Sequence, residues 1–392
     1  MNQKSDERNP LKLLIAFGTR PECIKLAPVI DLALARGYEV QTCVTGQHQE
    51  MLRQCLDVFG IRTDFNLSVM RPNQTLTGLT SRILEGVGPV LETTRPDFVI
   101  VQGDTTTAFS IALAAFYAGV PVAHVEAGLR TYDLTAPFPE EAMRQMITRI
   151  STWNFAPTER NRNALLAERV DDERILVTGN TVIDALLHVR DLIRGNSRPE
   201  LLDLPEKTVK LLSEADRKMV LITGHRRESF GEGIENICGA ISALAAAFPD
   251  VLFVYPVHLN PNVVTPVRRV LGDIPNVHLL DPLNYYTFIY LMHRSWVVVS
   301  DSGGVQEEAP SLKVPVLVTR DVTERMEVVV SGNVKLVGSD PARITSEVSL
   351  LLKEPEVRRQ MTLPDNPYGD GHAARRILDF LALKSGLQSP VQ

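Results

Sequence analysis

The sequence predicts an α/β protein of two Rossmann-like domains, whose parallel β-sheets face each other across a cleft. Apolar runs rich in Val, Ile and Leu recur along the 392 residues, and helical patterns separate them. Strands of this composition are typical of parallel sheets that helices cover on both faces. The alternation breaks once, near the middle of a chain that is too long for a typical single domain. These observations together predict two domains of the same class.

Apolar runs in each half of the chain are the candidate strands. In the first half they cover residues 12–17, 39–45, 98–103, 120–125, 153–157 and 174–179. In the second half they cover residues 219–223, 251–257, 276–281, 296–301, 314–319 and 333–338. Ligands bind at the carboxyl ends of the strands in such sheets. We therefore expect the functional side chains directly after these runs.

The break in the alternation lies at residues 181–218, which read as a helix, a stretch interrupted by glycine and proline, and a second helix. It predicts an N-terminal domain over residues 1–180. A linker and a C-terminal domain follow over residues 181–365. The tail at about 366–383 has a turn-rich start and an amphipathic helix, which we expect to pack back onto the first domain.

Composition argues against several classes of function. A net charge of -6 disfavours nucleic acid as the main partner. The four cysteines are far apart with no CxxC pair, as expected for core thiols in a reducing compartment. The most apolar stretch, 108–123, is short and interrupted by Gly119 and Pro121, so it predicts no membrane span. The polar start MNQKSDERNP does not read as a secretory signal, and we expect the protein in the cytoplasm.

Charged side chains follow the strands of the first half. Arg20 and Lys25, in GTRPECIK, lie where a strand ends and a helix begins, and both could reach an anion there. A solvated basic face is the alternative. Asp104, in VQGDTTT, has a similar place, with a helix cap as its alternative role. Glu126, in HVEAGLR, ends a buried strand, where a carboxylate is costly unless it has a function.

A pair of acids follows a proline-rich loop in PFPEEAMR. Glu140 and Glu141 are suited to the first turn of a helix, where they would complement the helix dipole. We assign that structural role to one of the two and keep the other as a candidate functional acid. His124 is predicted to be a satisfied core histidine rather than a ligand.

The second half combines an anion cradle with nearby acids. In SDSGGVQEEAP, a strand ends in Ser302, Gly303 and Gly304 before a helix, which offers backbone N–H groups to an anion. Two carboxylates, including Glu308, follow at once. His225 stands beside two arginines and a glycine-rich loop in TGHRRESFGEG, a cluster that suits a diphosphate.

Common cofactor motifs are missing from the sequence. The first strand is not followed by G-x-G-x-x-G, which argues against a dinucleotide. The chain also has no Walker loop and no HExxH. We therefore expect no cofactor and no bound metal.

These motifs, taken in order, resemble those of the non-hydrolysing UDP-N-acetylglucosamine 2-epimerases. GTRPE, HVEAGLR and DSGGxQEE are together highly specific, and the similarity extends over nearly the whole chain. The resemblance implies the two-domain architecture of the GT-B glycosyltransferases, with the active site in the cleft. It also implies a UDP-sugar substrate and a homodimer.

The resemblance also implies roles for individual residues. The backbone of Ser302, Gly303 and Gly304 would hold the diphosphate, and Glu308 would accept hydrogen bonds from the ribose. The implied acid and base candidates are Asp104, Glu126 and Glu140, joined by His225 as a catalytic residue. The remaining implied substrate contacts are Arg20 and Lys25, which with His225 face the diphosphate, Arg325, and Phe288 near the uracil.

The implied reaction is reversible epimerisation at C2 between UDP-N-acetylglucosamine and UDP-N-acetylmannosamine, which supplies cell-surface polysaccharide. It proceeds by anti elimination of UDP to a 2-acetamidoglucal and re-addition. A UDP-sugar-dependent glycosyltransferase of the same fold is the alternative, and would need one base and an acceptor groove. Two further alternatives are a catalytically inactive UDP-sugar sensor and a hydrolysing epimerase that releases the free sugar.

Overall fold

The computed structural model describes most of the chain, and this part divides into two compact units. The described residues are 10–46, 49–71, 73–196, 198–212, 217–224, 226 and 229–386. Unit 1 comprises the chain up to Ala185 together with the segment from Tyr368 onward. Unit 2 is Leu186–Pro367.

Unit 1 is a seven-stranded parallel sheet with flanking helices. Its strands are β1 (Lys12–Phe17), β2 (Glu39–Val44), β3 (Phe65–Asn66), β4 (Phe98–Gln102), β5 (Val122–Val125), β6 (Trp153–Ala156) and β7 (Ile175–Val177). Its helices are α1 (Arg20–Ala35), α2 (Gln49–Phe59), α3 (Leu76–Thr94), α4 (Thr106–Tyr117), α5 (Glu140–Ile150), α6 (Glu159–Ala167) and the start of α7 (Thr181–Arg194). The strand order is β3-β2-β1-β4-β5-β6-β7.

Unit 2 repeats this plan with six parallel strands. They are β8 (Met219–Thr223), β9 (Leu252–Pro256), β10 (Val277–Leu280), β11 (Val297–Ser300), β12 (Val316–Val318) and β13 (Val334–Leu336). The helices are α8 (Glu206–Leu212), α9 (Glu232–Ala247), α10 (Pro261–Leu271), α11 (Tyr285–Arg294), α12 (Gly303–Glu308), α13 (Met326–Ser331), α14 (Pro341–Lys353) and α15 (Pro355–Thr362). The strand order is β10-β9-β8-β11-β12-β13. The last helix, α16 (Ala373–Lys384), belongs to unit 1.

Each core lies between the sheet and the helices that cover it. In unit 1, Val99 of β4 and Ile111 of α4 belong to one buried cluster. In unit 2, Val220 of β8 packs in a cluster with Ile237 and Ile241 of α9. Burial of such a side chain contributes roughly 1.5–3 kcal/mol. The unbroken apolar runs of the sequence are therefore the central strands, which are buried on both faces.

The prediction of two Rossmann-like α/β sheets is confirmed. Each of the predicted apolar runs contains an observed strand. The sequence pattern missed β3, because Phe65–Asn66 is only two residues long and carries no apolar run. In both sheets the strand order reverses beside the first strand, between β1 and β4 in unit 1 and between β8 and β11 in unit 2. Ligands bind at such switch points, beyond the carboxyl ends of the strands.

Cys23, Cys43, Cys55 and Cys238 are free thiols in buried positions. In the described part of the chain, no helix combines the length and the apolar character needed to cross a bilayer.

Candidate functional site

The loop after β1 is fixed by a buried carboxylate at the unit 1 switch point. Thr19 caps α1 in a capping box with Glu22, and Pro21 lies in the first turn. Glu22 Oε2 accepts from the backbone N–H groups of Gly18 and Thr19 at 3.1 and 2.8 Å, and Oε1 accepts from the Thr105 hydroxyl at 2.7 Å. Burial raises the pKa of Glu22, and these hydrogen bonds lower it. The Thr-x-x-Glu spacing was the sequence signal for this box.

Glu126 follows β5 and is the most heavily bonded of the predicted acids. Lys25 Nζ lies 2.7 and 2.5 Å from its two carboxylate oxygens. The Gln102 amide donates to Oε2, and Asn180 Nδ2 donates to Oε1 at 3.1 Å. Its φ of 64° is in the left-handed region, which costs a residue with a side chain about 1–3 kcal/mol. The surrounding structure therefore holds the backbone of Glu126 in a conformation that is unfavourable for an isolated residue, and the contacts above orient its carboxylate.

Asp104 follows β4 and is paired with an arginine of α5. Arg144 Nη2 contacts its carboxylate, and Arg144 Nη1 lies 3.3 Å from Glu141. Burial raises the pKa of Asp104, and the Arg144 guanidinium opposes that effect. Glu126 raises this pKa further through like-charge repulsion, and Lys25 lowers it. The structure thus places Asp104, Glu126 and Lys25 in one interacting group in unit 1.

The acids at the start of α5 have different environments. Glu141 is buried and accepts the backbone N–H groups of Thr131 and Tyr132 at 3.0 and 3.1 Å, so it anchors the preceding loop. Burial raises its pKa, but Gln145, these N–H groups and Arg144 together bring the pKa below its ordinary value. Glu140, the first residue of α5, is only partly buried. Of the pair, Glu140 is the acid that a ligand can reach.

The rest of the HVEAGLR motif is structural. His124 is fully buried, and its Nε2–H donates to the Gly103 carbonyl at 2.7 Å. Burial lowers the pKa of His124 to about 4, which agrees with a neutral core histidine. Gly128 has a φ of 90°, and a Cβ there would lie 2.4 Å from the Asn161 carbonyl. Arg130 pairs with Glu168 through two of its nitrogens.

The glycine-rich turn at residues 302–304 of unit 2 lies against the side chain of Arg325. Ser302 is the N-cap of α12, and Gly303 and Gly304 are its first residues. A Cβ on Gly303 would lie 2.5 Å from Arg325 Cζ. Arg325 Nε in turn donates to Glu307 at 2.7 Å. The structure therefore brings Arg325, which the resemblance implies as a substrate contact, to the predicted anion cradle.

Glu308 and Glu324, two acids of unit 2, have hydrogen-bond and ion-pair partners in that unit. Glu308 is buried, and its Oε1 accepts from the Tyr285 hydroxyl of α11 at 2.7 Å. Phe288 lies one turn further along the same helix and is partly buried. Glu324 lies among three arginines. Burial alone would raise its pKa, but its own backbone N–H and the guanidinium groups of Arg325, Arg320 and Arg226 bring it to about 2.

Arg20 and His225 are two further cations that the sequence predicted at the site. Arg20 is the first residue of α1 and is half-buried at the unit 1 switch point. His225 lies outside the described residues. Its neighbour Arg226 donates its backbone N–H to the buried Asp301 at 2.9 Å, at the unit 2 switch point. Among the described residues, Asp104, Glu126 and Lys25 therefore form one interacting group in unit 1, and Arg325 and Glu308 lie beside the glycine turn in unit 2.

Comparison with known proteins gives a consistent result. Residues 31–382 match the family model for UDP-N-acetylglucosamine 2-epimerase. The chain is 52% identical to the UDP-N-acetylglucosamine 2-epimerase of Escherichia coli (strain K12), over 95% of this chain and 98% of that protein. The crystal structure of UDP-GlcNAc 2-epimerase from Neisseria meningitidis bound to UDP-GlcNAc has a TM-score of 0.83 and 47% identity, over 95% of this chain and 100% of that one.

A more distant match concerns the fold alone. The crystal structure of a glycotransferase of kitacinnamycin is 15% identical, with a TM-score of 0.62 over 95% of this chain and 100% of that one. The predicted GT-B-like architecture is consistent with this similarity. With the family model and the close relatives above, the chain belongs to the UDP-N-acetylglucosamine 2-epimerase family and is an isomerase.

Proposed function

We propose that the protein interconverts UDP-N-acetylglucosamine and UDP-N-acetylmannosamine by elimination and re-addition of UDP. A base removes the proton from C2, the C1–O bond breaks, and its electron pair leaves with the β-phosphate of UDP. The product is a 2-acetamidoglucal with a C1–C2 double bond. A proton then returns to C2 on the opposite face, and the UDP oxygen bonds again to C1.

The observation that carries this proposal is the group of carboxylates in unit 1. Proton transfer at both faces of one carbon needs more than one acid or base within reach of the substrate. Asp104 and Glu126 interact electrostatically, and Glu140 begins the helix that carries the Arg144 partner of Asp104. Asp104 and Glu126 have different cationic partners, Arg144 and Lys25, and different environments are how paired carboxyl groups divide acid and base roles.

Unit 2 supports the nucleotide part of the proposal. The backbone of Ser302, Gly303 and Gly304 would bind the diphosphate, with Arg325 supplying positive charge beside it. Glu308 would accept from the ribose hydroxyls, and the Tyr285 hydroxyl orients its carboxylate. Phe288 would lie near the uracil. Arg20, Lys25 and His225 would stabilise the charge that develops on the departing UDP.

The experiment that tests this function uses UDP-N-acetylglucosamine in deuterated water, without nicotinamide or added metal. Elimination and re-addition exchange the C2 proton with solvent, so both epimers should contain deuterium at C2 by NMR. Epimerised product without deuterium, or a requirement for NAD, would overturn the mechanism. Release of free N-acetylmannosamine would indicate a hydrolysing enzyme, and sugar transfer to an acceptor would indicate a glycosyltransferase.

A further inference from the structure

Two sequence motifs without a role in the proposed function meet beside Glu126. One is VTGNT at residues 177–181, and the other is NPYGDG at residues 366–371. The Asn180 backbone N–H donates to the Tyr368 carbonyl at 2.6 Å. Gly179 has a φ of 87°, and a Cβ there would lie 3.2 Å from the same carbonyl. Gly179 thus allows the two segments to approach closely, and the hydrogen bond to Tyr368 fixes the backbone of Asn180.

The side-chain amide of Asn180 has a defined orientation. Its Oδ1 accepts the backbone N–H of Val182 at 3.1 Å, in the first turn of α7. Because the oxygen is committed to this bond, the Nδ2 group is directed at Glu126 Oε1, 3.1 Å away. Asn180 is 2% exposed, so water does not compete effectively for this bond.

We infer that Asn180 is a positioning residue for Glu126, fixing the orientation of the carboxylate that acts in proton transfer. The inference rests on the proposed function for its catalytic consequence. Donors reach Glu126 from three parts of unit 1: Lys25 on α1, Gln102 at the end of β4, and Asn180 before α7. Asn180 also binds the returning C-terminal segment through its backbone N–H, so it links that segment to the carboxylate.

The test replaces the amide nitrogen of Asn180 with an oxygen and leaves the side chain otherwise similar. In Asn180→Asp, one oxygen still accepts from Val182, so the helix cap remains, while the other oxygen places a negative charge against Glu126. We expect kcat to fall by about 100-fold, as for small displacements of catalytic groups, with little change in the KM for the UDP-sugar. The loss should lessen as the pH is lowered, because a proton shared between two carboxylates restores the hydrogen bond.

Two further variants separate positioning from structural effects. Asn180→Ser keeps a capping oxygen without adding charge and should lose less activity than Asn180→Asp. Asn260→Asp makes the same exchange at the cap of α10, where Oδ1 accepts from Asn262, and should leave kcat unchanged. Lys25, Asp104 and His124 are titratable groups that interact with Glu126, and they are the same in all these proteins.

The outcomes distinguish this inference from the proposed function. The positioning role would be overturned if the wild type were active and Asn180→Asp were equally active. It would also be overturned if the loss of kcat in Asn180→Asp were the same at every pH. An inactive wild type would overturn the proposed function instead. In that case crystal structures decide: a displaced Glu126 carboxylate in Asn180→Asp supports positioning, and an unmoved one contradicts it.

Discussion

At the scale of single residues, one glycine determines how closely Arg325 approaches the start of α12. Gly303 has no side chain in the space that the guanidinium occupies, and a methyl group there would meet it at 2.5 Å. Gly304, the next residue, would place its Cβ 3.7 Å from Glu308 Oε2, an ordinary contact. A methyl group therefore clashes at position 303 and fits at position 304.

We predict that Gly303→Ala weakens UDP binding by about 1.5–3 kcal/mol, because displacement of Arg325 removes a charge-assisted contact. Isothermal calorimetry with UDP measures the change. Gly304→Ala is the matched comparison and should weaken binding less, since its methyl group fits without moving a neighbour. Equal losses in the two variants would mean that the effect comes from the backbone of the turn and not from Arg325.

At the scale of elements, Asp184 of α7 joins two helices that are distant in the sequence. Its carboxylate oxygens accept the backbone N–H groups of Ala373 and Ala374, the first residues of α16, at 3.2 and 2.9 Å. Phe380 of the same helix packs edge-on against Trp153 and Phe155 of β6. A partly buried carboxylate and an aromatic cluster thus hold the C-terminal helix on unit 1.

The burial of Asp184 should make stability depend on pH. Burial raises its pKa to about 6, so the folded protein binds this proton more tightly than the unfolded chain. The resulting stability is present below pH 4 and is lost as the pH rises to about 6, up to about 3 kcal/mol. Urea unfolding of wild type and Asp184→Asn should show this loss in the difference between the two proteins.

A control for this prediction exists in unit 2. Asp340 caps α14 from an exposed position, where its carboxylate accepts the Ala342 N–H. Asp340→Asn therefore makes the same exchange at a capping aspartate that is not buried. If the wild-type advantage over Asp184→Asn increased with pH, the charged form of Asp184 would be the stabilising one, and our assignment would be wrong.

The strands and the positions of the charged residues could be predicted from the sequence for a physical reason. Buried parallel strands need unbroken apolar runs, and polar residues that follow them must lie at the carboxyl edge of the sheet. The contact of Asn180 with Glu126 could not be predicted, since it joins residues 54 positions apart through tertiary packing. The residue pattern alone left Glu140 and Glu141 equivalent and only the resemblance implied Glu140, because the loop N–H groups that bind Glu141 are a feature of the structure.

At the scale of the whole molecule, the candidate groups are divided between the two units. The carboxylates Asp104, Glu126 and Glu140 belong to unit 1, and the cradle at residues 302–304 with Glu308 belongs to unit 2. Asp104 follows β4 and residues 302–304 follow β11, and each of these strands borders the switch point of its own sheet. The proposed function therefore assigns the nucleotide mainly to unit 2 and proton transfer to unit 1.

Hydrogen exchange measured by mass spectrometry tests this division in the intact protein. UDP without a sugar should slow exchange most strongly in α12 and α11 of unit 2, where its phosphates and base would bind. The segments around Asp104 and Glu126 should change less, because they would meet the sugar. Protection confined to unit 1 would contradict the assignment, and UDP-N-acetylglucosamine is the positive control for both units.

The carboxylate of Glu22 has a consequence for how substitutions combine. It accepts hydroxyl hydrogens from both Thr19 and Thr105, the caps of α1 and α4, so two helix starts depend on one charge. Removing either hydroxyl raises the pKa of Glu22, which burial already raises. Protonation of Glu22 then limits the further loss of folding free energy. In a double-mutant cycle, Thr19→Val and Thr105→Val should cost less together than the sum of their separate costs, by about 0.5–3 kcal/mol. Strict additivity at pH 7 would show that the two helix starts are energetically independent.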